Sequence, residues 1–380
     1  MKRLFASFLC IGLISSITAS VRAQSSAPIA IGAVISYTGL SAPLGLPEKR
    51  AFELAEKVIN SKGGVLGRPI HIEIQDDEAK PDVAAQIATS MIGKGVVALL
   101  CGTRVATTEA VARVTAASGT PQMIMVPDEA SWRTRDGSVL KNVFQMIPGN
   151  DLEATALLQF AKTKLHAKTI ALLHDDNVYG VAIEGVMLKQ AKAMGVDVVA
   201  DQAYPGTATD FTPQIVAIRD SKADVMMLLG ATLTTAIATR NARSLGLKIP
   251  IVGTSGIQSD GYLKAAGSAA EGAFTDGPLD MDHPSPQLRA FEEAYRAAYN
   301  EIGDSKATSA WDAVSLIVDA IKYTKGKTDA ASINAAIEKL SPWHGANGTF
   351  RFTPTDHGGL VNVTDVHIAV AKSGNWVTVQ

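Results

Sequence analysis

Cysteine is nearly absent: the chain of 380 residues has two, Cys10 and Cys101. Cys10 lies in an apolar stretch, residues 4–17, that follows Lys2 and Arg3 and leads to Val21-Arg22-Ala23, with small residues at the first and third positions before a cut. That pattern predicts an exported leader over residues 1–23, removed from the mature protein. Only Cys101 then remains, which excludes an intramolecular disulfide. At the end of an apolar run it reads as a small buried residue. Cys10 has no small residues directly before it, against a lipid-anchored cysteine. Long apolar runs are missing too: the leader's stretch is too short to span a bilayer, and no other segment reaches about 18 apolar residues. Nor is there an excess of positive charge. Loss of Lys2, Arg3 and Arg22 takes the formal net charge from −2 to −5, leaving no basic patch for nucleic acid.

The motifs of the common enzyme classes are also missing. No G-x-S-x-G elbow occurs, and Gly253-Thr254-Ser255-Gly256 has the wrong spacing. There is no Walker loop, and no G-x-G-x-x-G follows the first strand. His174-Asp175-Asp176 and Asp76-Asp77 resemble acid–base or metal clusters, but adjacent loop residues point in different directions and no further histidine stands at ligand spacing. Neither catalysis, nor a metal, nor a cofactor is expected.

What is present is organised around residues 96–114, VVALLCGTRVATTEAVARV. An apolar run, a glycine, a cluster of small polar residues and a segment of helical spacing predict a buried strand, a tight turn and a helix start. Such a start directs unpaired N–H groups at whatever lies above the strand, and suits an anion such as a carboxylate. Residues 225–240, VMMLLGATLTTAIATR, repeat the device. Two such turns facing each other make a cleft.

Strand and helix alternate along the rest. Residues 29–35 form a strand; the loop SYTGLSAPLG follows; a helix starts at Pro47, buries Phe52, Ala55, Val58 and Ile59, and stops at Gly63-Gly64. Further strands fall at residues 69–74 and 121–126. The pattern then restarts: Asn150 with Glu153 caps a helix, and strands follow at 169–173, 196–200 and 225–229. Residues 284–340 are helical, and 367–370 with 376–379 form closing strands. This is an α/β chain with parallel sheets covered on both faces, its ligand site beyond the carboxyl ends of the strands. Pro148-Gly149, Asp276-Gly277-Pro278 and Gly348-Thr349-Phe350 read as three crossings between lobes. Lobe 1 is then 24–147 plus 278–348, lobe 2 is 148–277 plus 349–380, and the three segments form a hinge.

The run from SYTGLSAPLG through AFELAEKVINSKGGVLGRPIHIEIQDDEAKPDVAAQ, then HDDNVYG, TDFTPQIVAIRDSKAD, and GTFRF with Gly358-Gly359, resembles the periplasmic solute-binding proteins of the branched-chain amino-acid importer family. The likeness covers essentially all of the mature chain in order. It implies a type I periplasmic binding fold, two Rossmann-like lobes closing on a small-molecule ligand. It also implies a monomer in the periplasm that hands this ligand to the membrane permease of an ABC importer. A ligand-presenting subunit for a membrane sensor uses the same closure and docking, and the sequence does not separate the two.

The resemblance implies a ligand site as well. In the branched-chain amino-acid binders the first-lobe turn offers a serine hydroxyl and backbone amides to the ligand carboxylate; that place falls at Val105, beside Arg104, Ala106 and Thr107. The next contact strand ends near Val126 and Asp128, where the family has a small residue and a threonine that meets the ligand ammonium. Tyr179 keeps the second-lobe tyrosine. Leu44 and Ala231 stand where tyrosines are usual, and Ser255 where an acidic residue holds the ammonium. Without that acid a buried ammonium costs several kcal/mol unless another anion replaces it. Asp128 either supplies the anion or caps the following helix. Arg104 either clamps a carboxylate in bidentate fashion or is solvated. Trp132 and Trp343 either stack on a ring at the cleft rim or pack. The losses at Leu44, Ala231 and Ser255 favour a hydrophobic or aromatic carboxylate, with a branched-chain or other aliphatic amino acid as the alternative.

Overall fold

The computed structural model describes residues 27–379 apart from 232, 278, 281 and 282. The leader expected over residues 1–23 lies outside the described residues, as does Pro278 of the second crossing.

The first lobe opens with β1 (Ile29–Ile35), α1 (Ala42–Ser61), β2 (Ile70–Asp76), α2 (Pro81–Gly93), β3 (Leu99–Cys101), α3 (Val105–Ser118), β4 (Gln122–Ile124) and β5 (Val143–Gln145). The strands form one parallel sheet in the order β2-β1-β3-β4-β5. β1 is apolar on both faces because both are covered: Ile29, Ile31, Ala33 and Ile35 enter the main core, while Val34 packs under α2 and α3 with Met91, Cys101 and Val111.

The second lobe follows with α4 (Asn150–Thr163), β6 (Thr169–Asp175), α5 (Val178–Met194), β7 (Asp197–Tyr204), α6 (Thr212–Ser221), β8 (Val225–Leu229), α7 (Leu233–Ser244), β9 (Ile251–Gly253), α8 (Asp260–Ala266) and β10 (Phe274–Gly277). The chain then returns to the first lobe as α9 (Pro286–Tyr299), α10 (Ser305–Tyr323), α11 (Ala330–Leu340), β11 (Trp343–His344), β12 (Thr349–Thr353) and β13 (Asp356–Gly359). It ends as β14 (His367–Lys372) and β15 (Asn375–Thr378), which complete the second sheet in the order β15-β14-β10-β9-β8-β6-β7. β14 runs antiparallel to β10, and β15 antiparallel to β14.

Two sequence expectations need correction. α1 begins at Ala42, with Pro43 in its first turn, so Pro47 lies inside the helix. A proline this near the start removes only the bond to the Pro43 carbonyl, at the end closest to solvent and cleft. The third crossing lies after Leu360, not at Gly348-Thr349-Phe350. β12 and β13 pack on the first lobe: Phe350, Phe352 and Leu360 are buried in its core, and the Phe352 and Phe144 rings meet edge-on at 5.4 Å. His357 Nδ1 lies 2.8 Å from the Val143 carbonyl and ties β13 to β5.

Phe352→Ala is therefore expected to cost about 3–5 kcal/mol of stability, the usual loss for a core phenylalanine. Urea denaturation followed by fluorescence measures it; a loss under about 1 kcal/mol would detach β12 from the first-lobe core.

Candidate functional site

Strand ends of the two sheets face each other across the hinge. On the first lobe, β3 runs through Gly102, Thr103 and Arg104 into α3. A Cβ at Gly102 would stand 2.6 Å from Met125 Cε and 2.7 Å from Glu48 Oε1, so any side chain there would have to displace the Glu48 carboxylate that holds the turn. Thr103 has φ of 69°, a left-handed conformation unusual for a β-branched residue. Glu48 of α1 holds it there: its buried carboxylate accepts the Thr103 N–H at 3.0 Å and also the Thr103 hydroxyl. Burial pushes Glu48 up to about 7, opposed chiefly by the charge of Lys306. Arg104 occupies the N-cap position in extended backbone and supplies no side-chain cap. The N–H groups of Val105, Ala106 and Thr107 are thus left without helical acceptors, and the partial positive charge of α3 faces the cleft.

On the second lobe the starts of α5 and α7 and the turn Ser255–Ile257 face α3. Asn177 caps α5 by accepting the Gly180 N–H at 3.0 Å. Between the lobes lies a cavity of about 270 Å³, near the small end of the roughly 300–1,000 Å³ of small-molecule sites. Seven of the ten residues singled out from sequence line it: Arg104, Val105, Ala106 and Val126 from the first lobe, and Tyr179, Ala231 and Ser255 from the second.

The other three lie elsewhere. Leu44 is buried in a neighbouring crevice that shares Ala231 and Gly256 with the main cavity. Thr107 is turned into its own helix, donating to the Arg104 carbonyl at 3.2 Å. Asp128 caps the short turn Glu129–Ser131, accepting the Ala130 N–H at 3.3 Å and the Ser131 hydroxyl at 2.5 Å, and faces a separate cavity. Both tryptophans are tied away from the main cavity: Trp132 donates to Gln145 Oε1 at 3.2 Å and Trp343 to Asp319 Oδ2 at 3.1 Å.

Sequence reasoning missed two groups. Lys306, near the start of α10, lines the cavity yet is only 4% exposed. The available signal was its place at the head of a buried stripe, Lys306, Ala310, Ala313 and Ile317, at helical spacing. The second group is an acid pair. Glu153 does not cap α4, whose N-cap is Gly149; it is buried, accepting the Tyr179 hydroxyl at 3.1 Å and the Ser255 N–H at 2.8 Å. Asp276, fully buried at the end of β10, lies beside it. Burial and then the charge of Glu153 push Asp276 well above the usual carboxylate range. This pair stands behind the Tyr179–Ser255 wall and orders it.

Arg104 projects across the cleft and forms no ion pair among the described residues. Opposite it, burial pushes Asp175 up to about 6, and the Arg104 charge is the main influence that opposes this.

A family model described as "Periplasmic binding protein" matches residues 28–375. A Leu/Ile/Val-binding protein homolog from Brucella melitensis is 24% identical over 330 residues, covering 87% of this chain and 88% of its own. Among solved structures, the substrate-binding protein LivJ of a branched-chain amino-acid transporter from Streptococcus pneumoniae, in complex with isoleucine, superposes with a TM-score of 0.83 at 22% identity, covering 92% of this chain and 99% of its own. A solute-binding protein of an ABC transporter from Rhodopseudomonas palustris, in complex with benzoate, superposes with a TM-score of 0.81 at 22% identity, covering 92% of this chain and 95% of its own.

Asp276 gives a testable pH dependence. Its raised folded-state pKa means that the folded protein keeps a proton which the unfolded chain loses above about pH 4, so this group's contribution to stability falls as pH rises. Asp276→Asn supplies a permanent donor to Glu153 and removes that titration. Its melting temperature at pH 8 is expected to equal or exceed the parent's, with a flatter profile between pH 5 and 8. One proton corresponds to about 1.4 kcal/mol per pH unit at most. A variant that melts lower at pH 8 and keeps the parent's slope would show that Asp276 is ionised.

Proposed function

The chain belongs to the periplasmic binding protein family, and on that premise we propose that it is the extracytoplasmic substrate-binding component of an ABC importer. Its cleft closes on a small hydrophobic or aromatic carboxylate, and the loaded monomer delivers this ligand from the periplasm to a membrane permease.

One observation carries the ligand class: the balance of charge along the cavity wall. Arg104 and Lys306 are cationic, and among the described residues the one acid lining the cavity, Asp176, is exposed. An α-ammonium would meet Lys306 and find no anion at Ser255 or Asp128. A carboxylate finds the free N–H groups of α3 and both cations. The rest of the ligand is matched by Val105, Val126, Pro127, Val178 and Ala231, with the Tyr179 ring beside them.

Closure follows as a population shift. Ligand contacts come from both lobes only when the lobes meet, so the ligand favours the closed form by its difference in affinity for the two. The lobes meet at the rim, where Pro43 of α1 lies against Gly261 of α8; a Cβ on Gly261 would stand 2.5 Å from Pro43 Cβ.

Two measurements test this. In a thermal-shift screen of the mature protein, an aromatic carboxylate such as benzoate or phenylacetate is expected to raise the melting temperature by several degrees, because ligand at about one hundred times Kd stabilises by about 2.7 kcal/mol. Leucine, isoleucine and valine are expected to leave it unchanged; stabilisation by these alone would make the cleft an aliphatic amino-acid site. Gly261→Val, whose Cβ meets Pro43 of the opposite lobe, is expected to leave the empty protein's melting temperature within about 2 °C and to weaken ligand binding at least about tenfold. Binding equal to the parent's would mean that α1 and α8 do not meet in the loaded form.

A further inference from the structure

Lys306 has an unusual environment for a lysine. Its side chain is 4% exposed. Its one partner is the Met125 carbonyl, accepting from Nζ at 3.4 Å, a long bond. It forms no ion pair among the described residues. An ammonium carries three donors, so at least two of its N–H groups are unsatisfied by protein.

The acids around it are committed to other tasks. Glu48, whose charge it senses, spends both oxygens on the Thr103 turn. Asp304 caps α10 through the N–H groups of Lys306 at 3.1 Å and Ala307 at 2.9 Å. A buried cation without a counter-ion is costly, and one at a ligand cavity is retained where the ligand completes it. Lys306 opens into the same cavity as the free N–H groups of α3.

We propose that Lys306 is a specificity-determining residue: its ammonium pairs with the ligand's carboxylate and turns away ligands that carry an ammonium beside that carboxylate. This rests on the reading of the cleft as a carboxylate site and deepens it. The N–H groups of a helix start accept the carboxylate of an amino acid and of a simple acid alike, and their partial charge of about half a unit repels a neighbouring ammonium less than a full unit charge does. A fixed cation at hydrogen-bonding range senses it, since the α-ammonium of an amino acid lies within a few ångströms of its own carboxylate, where charges repel strongly in a dry cavity.

The experiment uses ligand pairs that differ only by the ammonium: 3-phenylpropionate with phenylalanine, and 4-methylpentanoate with leucine. Calorimetric titration is done on the mature parent and on Lys306→Met, Lys306→Gln and Lys306→Arg, with the melting temperature of each empty protein as the folding check. The parent is expected to bind the acid of at least one pair about 100-fold tighter than the amino acid. Lys306→Met and Lys306→Gln are expected to bring that ratio below about tenfold by losing affinity for the acid alone, and Lys306→Arg to restore much of it. Arg104→Ala, as a control, weakens the acid with less change in the ratio. If the parent prefers the amino acids, the carboxylate reading itself fails. If the parent prefers the acids and a folded Lys306→Met or Lys306→Gln keeps the full ratio, or weakens both ligands equally, Lys306 is a structural anchor for Met125 and the inference is overturned while the reading stands.

Discussion

A parallel strand can meet its neighbour only after a crossover, so in each lobe the helices start at the edge where the strands end. Everything functional in this chain depends on that constraint. The two sheets face each other along those edges, and the starts of α3, α5 and α7 converge on one cavity. Helix starts carry unpaired donors. α5 satisfies part of that demand through Asn177. α3 does not, because its cap residue is an arginine whose side chain makes no capping bond. Glu48 then makes the open turn durable by anchoring Thr103 from behind, in a conformation the threonine would not otherwise keep.

The electrostatics of the cavity are divided by depth. The cations Arg104 and Lys306 line it. Two buried acids are a layer back and already bound to protein donors, Glu48 to Thr103 and Glu153 to Tyr179 and Ser255, while Asp175 lies within the influence of the Arg104 charge. Asp276, beside Glu153, is pushed well above the usual carboxylate range by burial and by that neighbour's charge. An acid behind the wall orders the wall, whereas an acid on the wall would hold a cation. The proposed preference for an anionic ligand without an ammonium rests on that difference in depth, with exposed Asp176 the acid among the described lining residues.

Much of the arrangement was legible in the sequence because it is written in local patterns. Apolar runs followed by glycine and small polar residues gave both facing turns, and the family resemblance supplied the candidate residues, seven of which line the cavity between the lobes. The failures share a cause: they depend on where a segment packs. Asp128 follows a proline and precedes Ala130 and Ser131, so its local capping bonds outcompete a long-range role. The alternation in residues 349–353 predicts a strand but not which lobe receives it; Phe350 and Phe352 find their partners in Phe144 and its neighbours. Glu153 looks like a capping-box residue by spacing, yet it turns inward because Tyr179 and the Ser255 N–H offer it buried donors. Lys306 sits 181 residues from Met125, whose carbonyl it meets, and only the fold brings it to the cleft.

The most direct measurement is a crystal structure of the mature protein loaded with an aromatic carboxylate that it binds. The expected electron density places the carboxylate at the start of α3, with an oxygen within hydrogen-bonding distance of Lys306 Nζ and the ring against Val126 and Tyr179. A ligand lying the other way round, its carboxylate on the second lobe and its body over Lys306, would contradict the reading of the cleft as an anion site built on the first lobe.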